Sequence, residues 1–176
     1  MIINTLGPKY TDSYRIALKL INKSIDKINL FNSFDNLIMK INDLKGQYIL
    51  IPTAYKSTDK EYDWKDFNFE YSNELNLTKV FAHKTKPIML IENTNFVINK
   101  AVIQPATSIF MKNYCYKQKL DLEIIFKPSK YAAFIYFKKY KFRYTIVSND
   151  FKGVSDFKLC RMFYPNMVWC LYEVIK

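Results

Sequence analysis

The first third of the chain alternates short apolar runs with stripes of apolar residues at helical spacing. The runs that predict buried strands lie at 2–6, 27–31 and 48–51. The stripes that predict amphipathic helices are Tyr14, Ala17, Leu18, Ile21 and Ile25, and then Phe34, Leu37, Ile38, Ile41 and Leu44. This order of strand, helix, strand, helix and strand is typical of parallel strands joined by helical crossovers.

A similar alternation returns after residue 100. It predicts strands at 101–103, 120–126 and 143–147, and helices at 107–116 and 130–137. The charged and aromatic residues 57–74 predict a surface segment, while 75–82, 87–92 and the apolar tail 160–175 predict extended chain. We therefore expect an α/β protein with two lobes, 1–80 with 156–176 and 85–155, and a central cleft between them.

Polar clusters follow the predicted strands where helices begin. They lie at 7–13, 52–55, 104–108 and 128–129. Thr11 or Ser13 is expected to cap the first helix, Asn32 or Ser33 the second, and Ser129 a later one. Free N–H groups at helix N-termini favour a carboxylate or phosphate, and open α/β sheets bind ligands at the carboxyl ends of strands. Capping alone explains any single cluster, whereas equivalent clusters in both lobes favour a ligand site.

The charge is strongly positive, since 27 basic and 16 acidic residues give 27 − 16 = +11. A nucleic-acid binder is one interpretation of this charge. Only three of the basic residues are arginines, Arg15, Arg143 and Arg161, and arginine is the better residue for bidentate phosphate or base contacts. The composition therefore disfavours nucleic acid and favours a lysine-rich surface that attracts small anions.

Cysteine and histidine patterns indicate no metal site. Cys115, Cys160 and Cys170 are far apart and His83 is the only histidine, whereas zinc needs four ligands, usually in close pairs. The sequence has no phosphate loop and no dinucleotide fingerprint, so no cofactor is expected. No apolar run approaches the roughly 20 residues of a membrane helix. With no signal-peptide pattern either, we expect a cytoplasmic protein with free thiols and no membrane association.

Several motifs, in order along the chain, resemble prephenate dehydratase-type domains. Residues 5–13 (TLGPKYTDS) resemble the opening of these domains, Gly-Pro-x-Gly-Thr followed by a small polar residue. Residues 51–55 (IPTAY) are closer to the prephenate decarboxylases of bacilysin-type pathways, which carry Pro-x-Ala-Tyr there. Residues 85–87 (TKP) and 104–107 (QPAT) are similar to later motifs of that branch. The resemblance implies a two-lobed, type 2 periplasmic-binding-protein-like fold with a central cleft.

The resemblance also implies an activity, the loss of CO2 from prephenate without aromatisation, in the biosynthesis of an antibiotic or another specialised metabolite. Such a carboxy-lyase needs no cofactor. Tyr55 would donate the proton, although packing in the lobe core is an open alternative for this residue. Thr11 would hold a carboxylate at the reacting substrate. The residues expected to bind the substrate are Lys9, Ser13, Thr53, Thr85, Gln104, Thr107, Ser108 and Ser129.

Departures from the family pattern keep other functions open. Tyr10 replaces a turn glycine, and Gln104 replaces a histidine. The Thr-Arg-Phe motif of dehydratases corresponds here to 166–169 (NMVW), which has neither Thr nor Arg, so dehydratase activity is disfavoured. The alternatives are a non-catalytic protein that binds or senses a small anion on the same fold, and a basic protein associated with nucleic acid. A homodimer is also left open.

Overall fold

The protein is described by a computed structural model that covers residues 1–22, 25–151 and 153–176. The ten strands of these residues are β1 (Ile2–Leu6), β2 (Lys27–Phe31), β3 (Tyr48–Pro52), β4 (Leu75–Lys84), β5 (Ile88–Glu92), β6 (Ile98–Ile103), β7 (Ile124–Phe126), β8 (Phe142–Ser148), β9 (Lys158–Phe163) and β10 (Asn166–Val174). The α-helices are α1 (Asp12–Leu20), α2 (Phe34–Ile38), α3 (Trp64–Glu70), α4 (Ser108–Gln118) and α5 (Lys130–Tyr140).

The chain divides into two compact units. The first comprises Met1–Lys84 and Asn166–Lys176, and the second comprises Thr85–Pro165. Two peptide links, at 84–85 and 165–166, join them. Each unit is a five-stranded mixed sheet with helices, so both belong to the α/β class.

The sheet of the first unit has the order β2-β1-β3-β10-β4. Strand β1 is parallel to β2 and β3, as predicted from the helical crossovers, and β10 is antiparallel to β3 and β4. Helix α1 covers one face, where Ile16 and Ala17 pack with Leu50 and Trp169. Helices α2 and α3 cover the other face.

The prediction of a surface segment at 57–74 is wrong for its second half. Helix α3 forms there, and its Phe67 is fully buried against Tyr172 of β10. Asp63 and Asp66 form a capping box at its start, which stabilises this short helix. Charged and aromatic residues alternate in this segment, so the sequence shows no apolar stripe that would predict a helix with one buried face.

The sheet of the second unit has the order β7-β6-β8-β5-β9. Strands β6, β7 and β8 are parallel, while β5 is antiparallel to β8 and β9. Helix α5 packs through Ala133, Phe134 and Phe137, so the apolar stretch predicted as a helix is a core element. Strand β7 is shorter than the predicted strand at 120–126 and begins at Ile124.

The C-terminal tail is extended, as predicted, but forms two strands in different sheets. Strand β10 pairs in the first unit and β9 pairs with β5 in the second. The sequence-based division had grouped all of 156–176 with the first lobe. Pro165 separates the two strands, because proline offers no N–H to continue a ladder.

No helix in the described ranges is long and apolar enough to cross a membrane.

Candidate functional site

The carboxyl ends of four strands meet at one edge of the first sheet. Strands β1, β2, β3 and β4 all run parallel to one another, with β10 reversed between β3 and β4. Helix α1 begins at this edge, with five residues between the end of β1 and its first residue. The predicted residues Lys9, Thr11, Ser13 and Thr53 therefore lie at the same edge, which is where open α/β sheets bind ligands.

Thr11 is the N-cap of α1, as expected from the sequence. Its hydroxyl accepts a hydrogen bond from the Tyr14 N–H at 3.2 Å and lies 2.9 Å from the Leu6 carbonyl and 3.0 Å from the Pro8 carbonyl. The residue is buried. These contacts already use the donor and acceptor capacity of the hydroxyl, so the structure gives Thr11 a role in shaping the loop.

Ser13 differs from Thr11 because its hydroxyl forms no hydrogen bond with any described residue, and the residue as a whole is 4% exposed. It occupies the first turn of α1, on the side of the helix that also carries the buried Ile16 and Ala17. The first N–H groups of a helix have no partner within the helix. The start of α1 thus presents a hydroxyl without a described partner beside the positive end of a helix dipole.

Two more donors without partners lie in the first unit. The Nε of Arg15 and the indole Nε1 of Trp169 are buried and make no hydrogen bond within the described residues. Trp169 pairs with Pro52, the last residue of β3, and belongs to the cluster formed by Ile16 and Ala17. It therefore lies at the level of the carboxyl edge and on the α1 side of the sheet.

The other guanidinium contacts of Arg15 fix it at the same edge. Its Nη2 donates to the Lys84 carbonyl, the end of β4, at 2.6 Å and to Oδ1 of Asp12 at 3.2 Å. Neither Arg15 nor Trp169 is among the site residues predicted from the sequence. No local signal marked Arg15, because residues two positions apart do not face each other on a helix. Trp169 reaches the edge only through the reversed strand β10.

Lys9 and Thr53 lie at this edge but are less buried than Thr11 and Ser13. Lys9 is exposed, as is its neighbour Tyr10. The Thr53 N–H donates to the Val168 carbonyl at 3.0 Å, and its hydroxyl lies 3.4 Å from the same oxygen. Thr53 thereby fastens β3 to β10.

Tyr55 is a core residue. It is 5% exposed and packs edge-to-face on Phe34 and Tyr62 in the cluster on the α2 and α3 side of the sheet. Its hydroxyl donates to Oδ1 of Asp35 at 2.9 Å. Burial, and then the hydrogen bond to Asp35, raise the pKa of Tyr55, so the phenol holds its proton. This geometry favours the packing alternative over proton donation.

The predicted residues of the second unit also share one edge. Gln104, Thr107 and Ser108 follow the end of β6, Ser129 follows β7, and Thr85 precedes β5, which pairs there with the end of β8. Their hydroxyls bond to nearby backbone: Thr107 to the Gln104 carbonyl at 2.7 Å, Ser108 to the Pro105 carbonyl, and Thr85 to the Lys86 carbonyl at 2.9 Å.

Ser129 caps α5 by accepting from the Ala132 N–H at 3.0 Å, which confirms the predicted cap. This edge therefore consists of caps and turns. Its hydroxyls make hydrogen bonds to the backbone, whereas the Ser13 hydroxyl makes none within the described residues. That the two edges face one cleft stays a prediction.

The opposite edge of the second sheet holds a polar cluster that the sequence did not indicate. Glu92 is 7% exposed and accepts from Arg143 Nε at 3.0 Å, from the Tyr144 hydroxyl at 2.8 Å and from Lys158 Nζ at 3.1 Å. Burial acts to raise the pKa of Glu92, but the three hydrogen bonds together lower it. The cluster ties β5 to both of its neighbours.

In the described part of the chain, no group of three or more His, Cys, Asp or Glu side chains is placed to hold a metal ion.

Comparison with known proteins identifies the fold. No protein-family model matches the sequence, and no curated protein matches it. Solved structures do match. Prephenate dehydratase from Staphylococcus aureus has a TM-score of 0.57 at 15% identity, covering 98% of this chain and 66% of that one. Prephenate dehydratase from Arthrobacter aurescens, solved with L-Phe, has a TM-score of 0.61 at 8% identity, covering 99% and 60%.

A periplasmic binding protein, BugD, has a TM-score of 0.65 at 8% identity, covering 99% of this chain and 76% of that one. The chain thus spans about two thirds or less of the length of the two dehydratases. At such identities the likeness establishes the fold. The protein has the two-lobed type 2 periplasmic-binding-like fold, which confirms the fold class predicted from the sequence.

Proposed function

We propose that this protein binds a small organic anion carrying carboxylate groups, of the size and class of prephenate, at the carboxyl edge of the first sheet. The observation that carries the proposal is the set of donors without partners. Arg15 and Trp169 each bury an N–H group that makes no hydrogen bond within the described residues, and the Ser13 hydroxyl at the start of α1 also makes none there. A carboxylate accepts several hydrogen bonds at once and would satisfy such groups.

Buried polar groups that stay unpaired cost free energy, and this cost favours a bound ligand. Buried donors in folded proteins almost always have a partner, and an unpaired one costs about 1–3 kcal/mol. A bound carboxylate would remove that cost and would also be stabilised by the start of α1. The third unpaired buried atom of the described residues, Oε2 of Glu74, directly precedes β4 and so lies at the opposite edge of the sheet. At the carboxyl edge the unpaired buried atoms are donors, and one belongs to a guanidinium, so the complementary ligand is an anion rather than a neutral or cationic molecule.

The net charge supports the same ligand class. A charge of +11 raises the local concentration of anions and their rate of encounter. The structural likeness to prephenate dehydratases and to a binding protein is compatible with a small ligand on this fold, but fold alone does not identify it.

Isothermal titration with prephenate tests this proposal. We expect saturable binding that Ser13→Ala weakens, while Ser72→Ala, at an exposed serine just before β4 and thus at the opposite edge of the sheet, serves as the control. Equal affinity for both variants and the unaltered protein, or no binding of prephenate and other dicarboxylates, contradicts the proposal.

The second candidate function is the decarboxylation of prephenate without aromatisation. It is favoured by residues 51–55 (IPTAY), which resemble the decarboxylase branch, and by the lack of a Thr-Arg pair at 166–169. The occupied hydroxyls of Thr11 and Tyr55 make binding without turnover the better-supported alternative. Incubation with prephenate and product analysis separates the two: a non-aromatic decarboxylated acid supports the enzyme, whereas unchanged prephenate with only background phenylpyruvate excludes it.

A further inference from the structure

Strand β4 is a long edge strand with one side of its backbone unpaired. It has ten residues, and among the residues that the structure describes it pairs only with β10. A free edge presents a row of N–H and C=O groups that can pair with a further strand. A bulge at Thr78 shifts the register against β10, and it places Leu77 and Val80 on the same face although they are three residues apart. Among the described residues no further strand pairs with this edge.

One face of this edge carries an uncovered apolar strip, which we define as Leu77, Val80, Ala82 and Val168. Cross-strand pairing places these residues on the same face, because Val80 lies opposite the core residue Cys170 and Ala82 lies opposite Val168. Helices α2 and α3 cover the rest of that face. The exposed fractions are 45% for Leu77, 54% for Val80 and 39% for Val168.

The other face of the same edge is positively charged. Lys79 is exposed and lies with its Nζ 5.5 Å from the centre of the Phe81 ring. Lys19 of α1 reaches the same face, where its Nζ lies 2.6 Å from Nε2 of His83. An added strand would therefore meet apolar side chains on one face and lysines on the other.

We propose that β4 binds an extended acidic segment of a partner protein, which adds a strand to the first sheet. Its apolar side chains would pack on the Leu77 strip and its alternate carboxylates would face Lys79 and Lys19, since side chains of a strand alternate between faces. Charge complementarity selects this occupant over a second copy of the chain, because pairing two β4 strands would bring the lysines and two charges of +11 together.

The test uses a short fluorescein-labelled peptide, about as long as β4, in which valine and glutamate alternate. Fluorescence anisotropy should show saturable binding that weakens as salt is added. A peptide of the same composition, with valines and glutamates in separate blocks, should bind at least about tenfold more weakly, because it cannot place all its carboxylates on one face.

Two variants locate the binding. Lys79→Glu should reduce affinity about tenfold or more, whereas Lys112→Glu on α4, which changes the net charge equally, should not. Leu77→Ser with Val80→Ser should also abolish binding, and a circular-dichroism melt checks that this exposed pair leaves the fold intact. Equal binding of both peptides, equal effects of the two lysine changes, or a dimer in sedimentation equilibrium that the Leu77 and Val80 changes dissociate would overturn the proposal.

Discussion

Three hydroxyl side chains near the first sheet differ in their hydrogen bonds, although the sequence alone predicts all three as site residues. The Thr11 hydroxyl caps α1, and the Tyr55 hydroxyl donates to Asp35. Ser13 is a buried residue whose hydroxyl makes no hydrogen bond within the described residues. Substitution should therefore affect stability at Thr11 and ligand binding at Ser13.

Ser13→Ala and Thr11→Ala form a pair with opposite expected effects. Thr11→Ala should lower the free energy of unfolding by about 1 kcal/mol, the usual value of a threonine cap. Ser13→Ala should leave it nearly unchanged and weaken prephenate binding roughly 10- to 150-fold, because a hydrogen bond to a charged group is worth about 1.5–3 kcal/mol. Urea unfolding and calorimetric titration measure the two effects, and a large stability loss at Ser13 would contradict this assignment.

Tyr55→Phe should act on stability and not on chemistry. It removes the hydrogen bond to Asp35 and keeps the ring in its aromatic cluster. We expect a loss of about 1 kcal/mol in the free energy of unfolding. Any prephenate turnover should change less than about threefold, which is under 1 kcal/mol in barrier. A much larger fall in kcat would restore Tyr55 as a proton donor.

Local patterns allowed the caps to be predicted, but not the use of each hydroxyl. Thr11, Ser33 and Ser129 cap their helices as expected, because a cap depends only on a few neighbouring residues. Trp169 could not have been found this way. It reaches the candidate site through pairing with β3, which is more than a hundred residues away in sequence.

At the scale of elements, helical and strand periodicity identified most of the first unit correctly. α1, α2 and the parallel strands follow directly from the apolar spacing. Helix α3 was missed because aromatic residues occur on more than one of its faces. The separation of β9 from β10 was missed because both are extended, and periodicity carries no information on which sheet a strand joins.

Glu92 joins three strands of the second unit, so its loss should affect that unit's stability. Glu92→Gln removes the charge that Arg143 and Lys158 contact, and we expect a cost on the order of 2 kcal/mol at neutral pH. The pKa of Glu92 is lowered in the fold from about 4.5, so its contribution is present above that pH. The contribution is then lost as the pH falls through the lower, folded-state pKa.

Urea midpoints measured between neutral pH and about pH 3 test this, since that range spans the ordinary pKa of a glutamate. The difference between the unaltered protein and Glu92→Gln should be largest at neutral pH and shrink on acidification. A constant difference would mean that the cluster acts through packing alone. Asp43→Asn, at an exposed ion pair with Lys40, is a control that should change little.

At the scale of the whole molecule, we expect the ionisation of buried tyrosines to lower stability at alkaline pH. Burial, followed by the hydrogen bond to Glu92, raises the pKa of Tyr144 to about 12 from a reference of 10.0. Burial also raises the pKa of Tyr55 and Tyr172. Because the folded pKa values exceed the unfolded ones, this stability is present below about pH 10 and is lost as the pH rises above it.

Unfolding in urea at a series of alkaline pH values measures this loss. The free energy of unfolding should fall steadily above about pH 10, by up to about 1.4 kcal/mol per pH unit for each such tyrosine. Tyr144→Phe should make the fall less steep. A flat profile up to pH 12 would show that these phenols ionise as easily in the folded protein as in the unfolded chain.

The overall architecture could be predicted from the sequence, whereas the donors of the candidate site could not. Two alternating strand and helix series, together with short motifs resembling prephenate dehydratase-type domains, led to the fold that the structural comparisons confirm. The donors of the candidate site come from α1 and from β10, at opposite ends of the chain. Only the folded sheet brings them to one edge, so spacing in the sequence could not indicate them.

Tryptophan fluorescence tests the proposed anion site most directly. Trp64 and Trp169 are the two tryptophans of the chain, so Trp64→Phe leaves Trp169 as the single reporter. Titration of this variant with prephenate should give a saturable change in emission, because the ligand would hydrogen-bond to the indole N–H that is unpaired in the described structure. Trp169→Phe, which keeps Trp64, should show no such change. An unchanged Trp169 signal under saturating prephenate, or a response from Trp64 instead, would contradict a ligand at this edge.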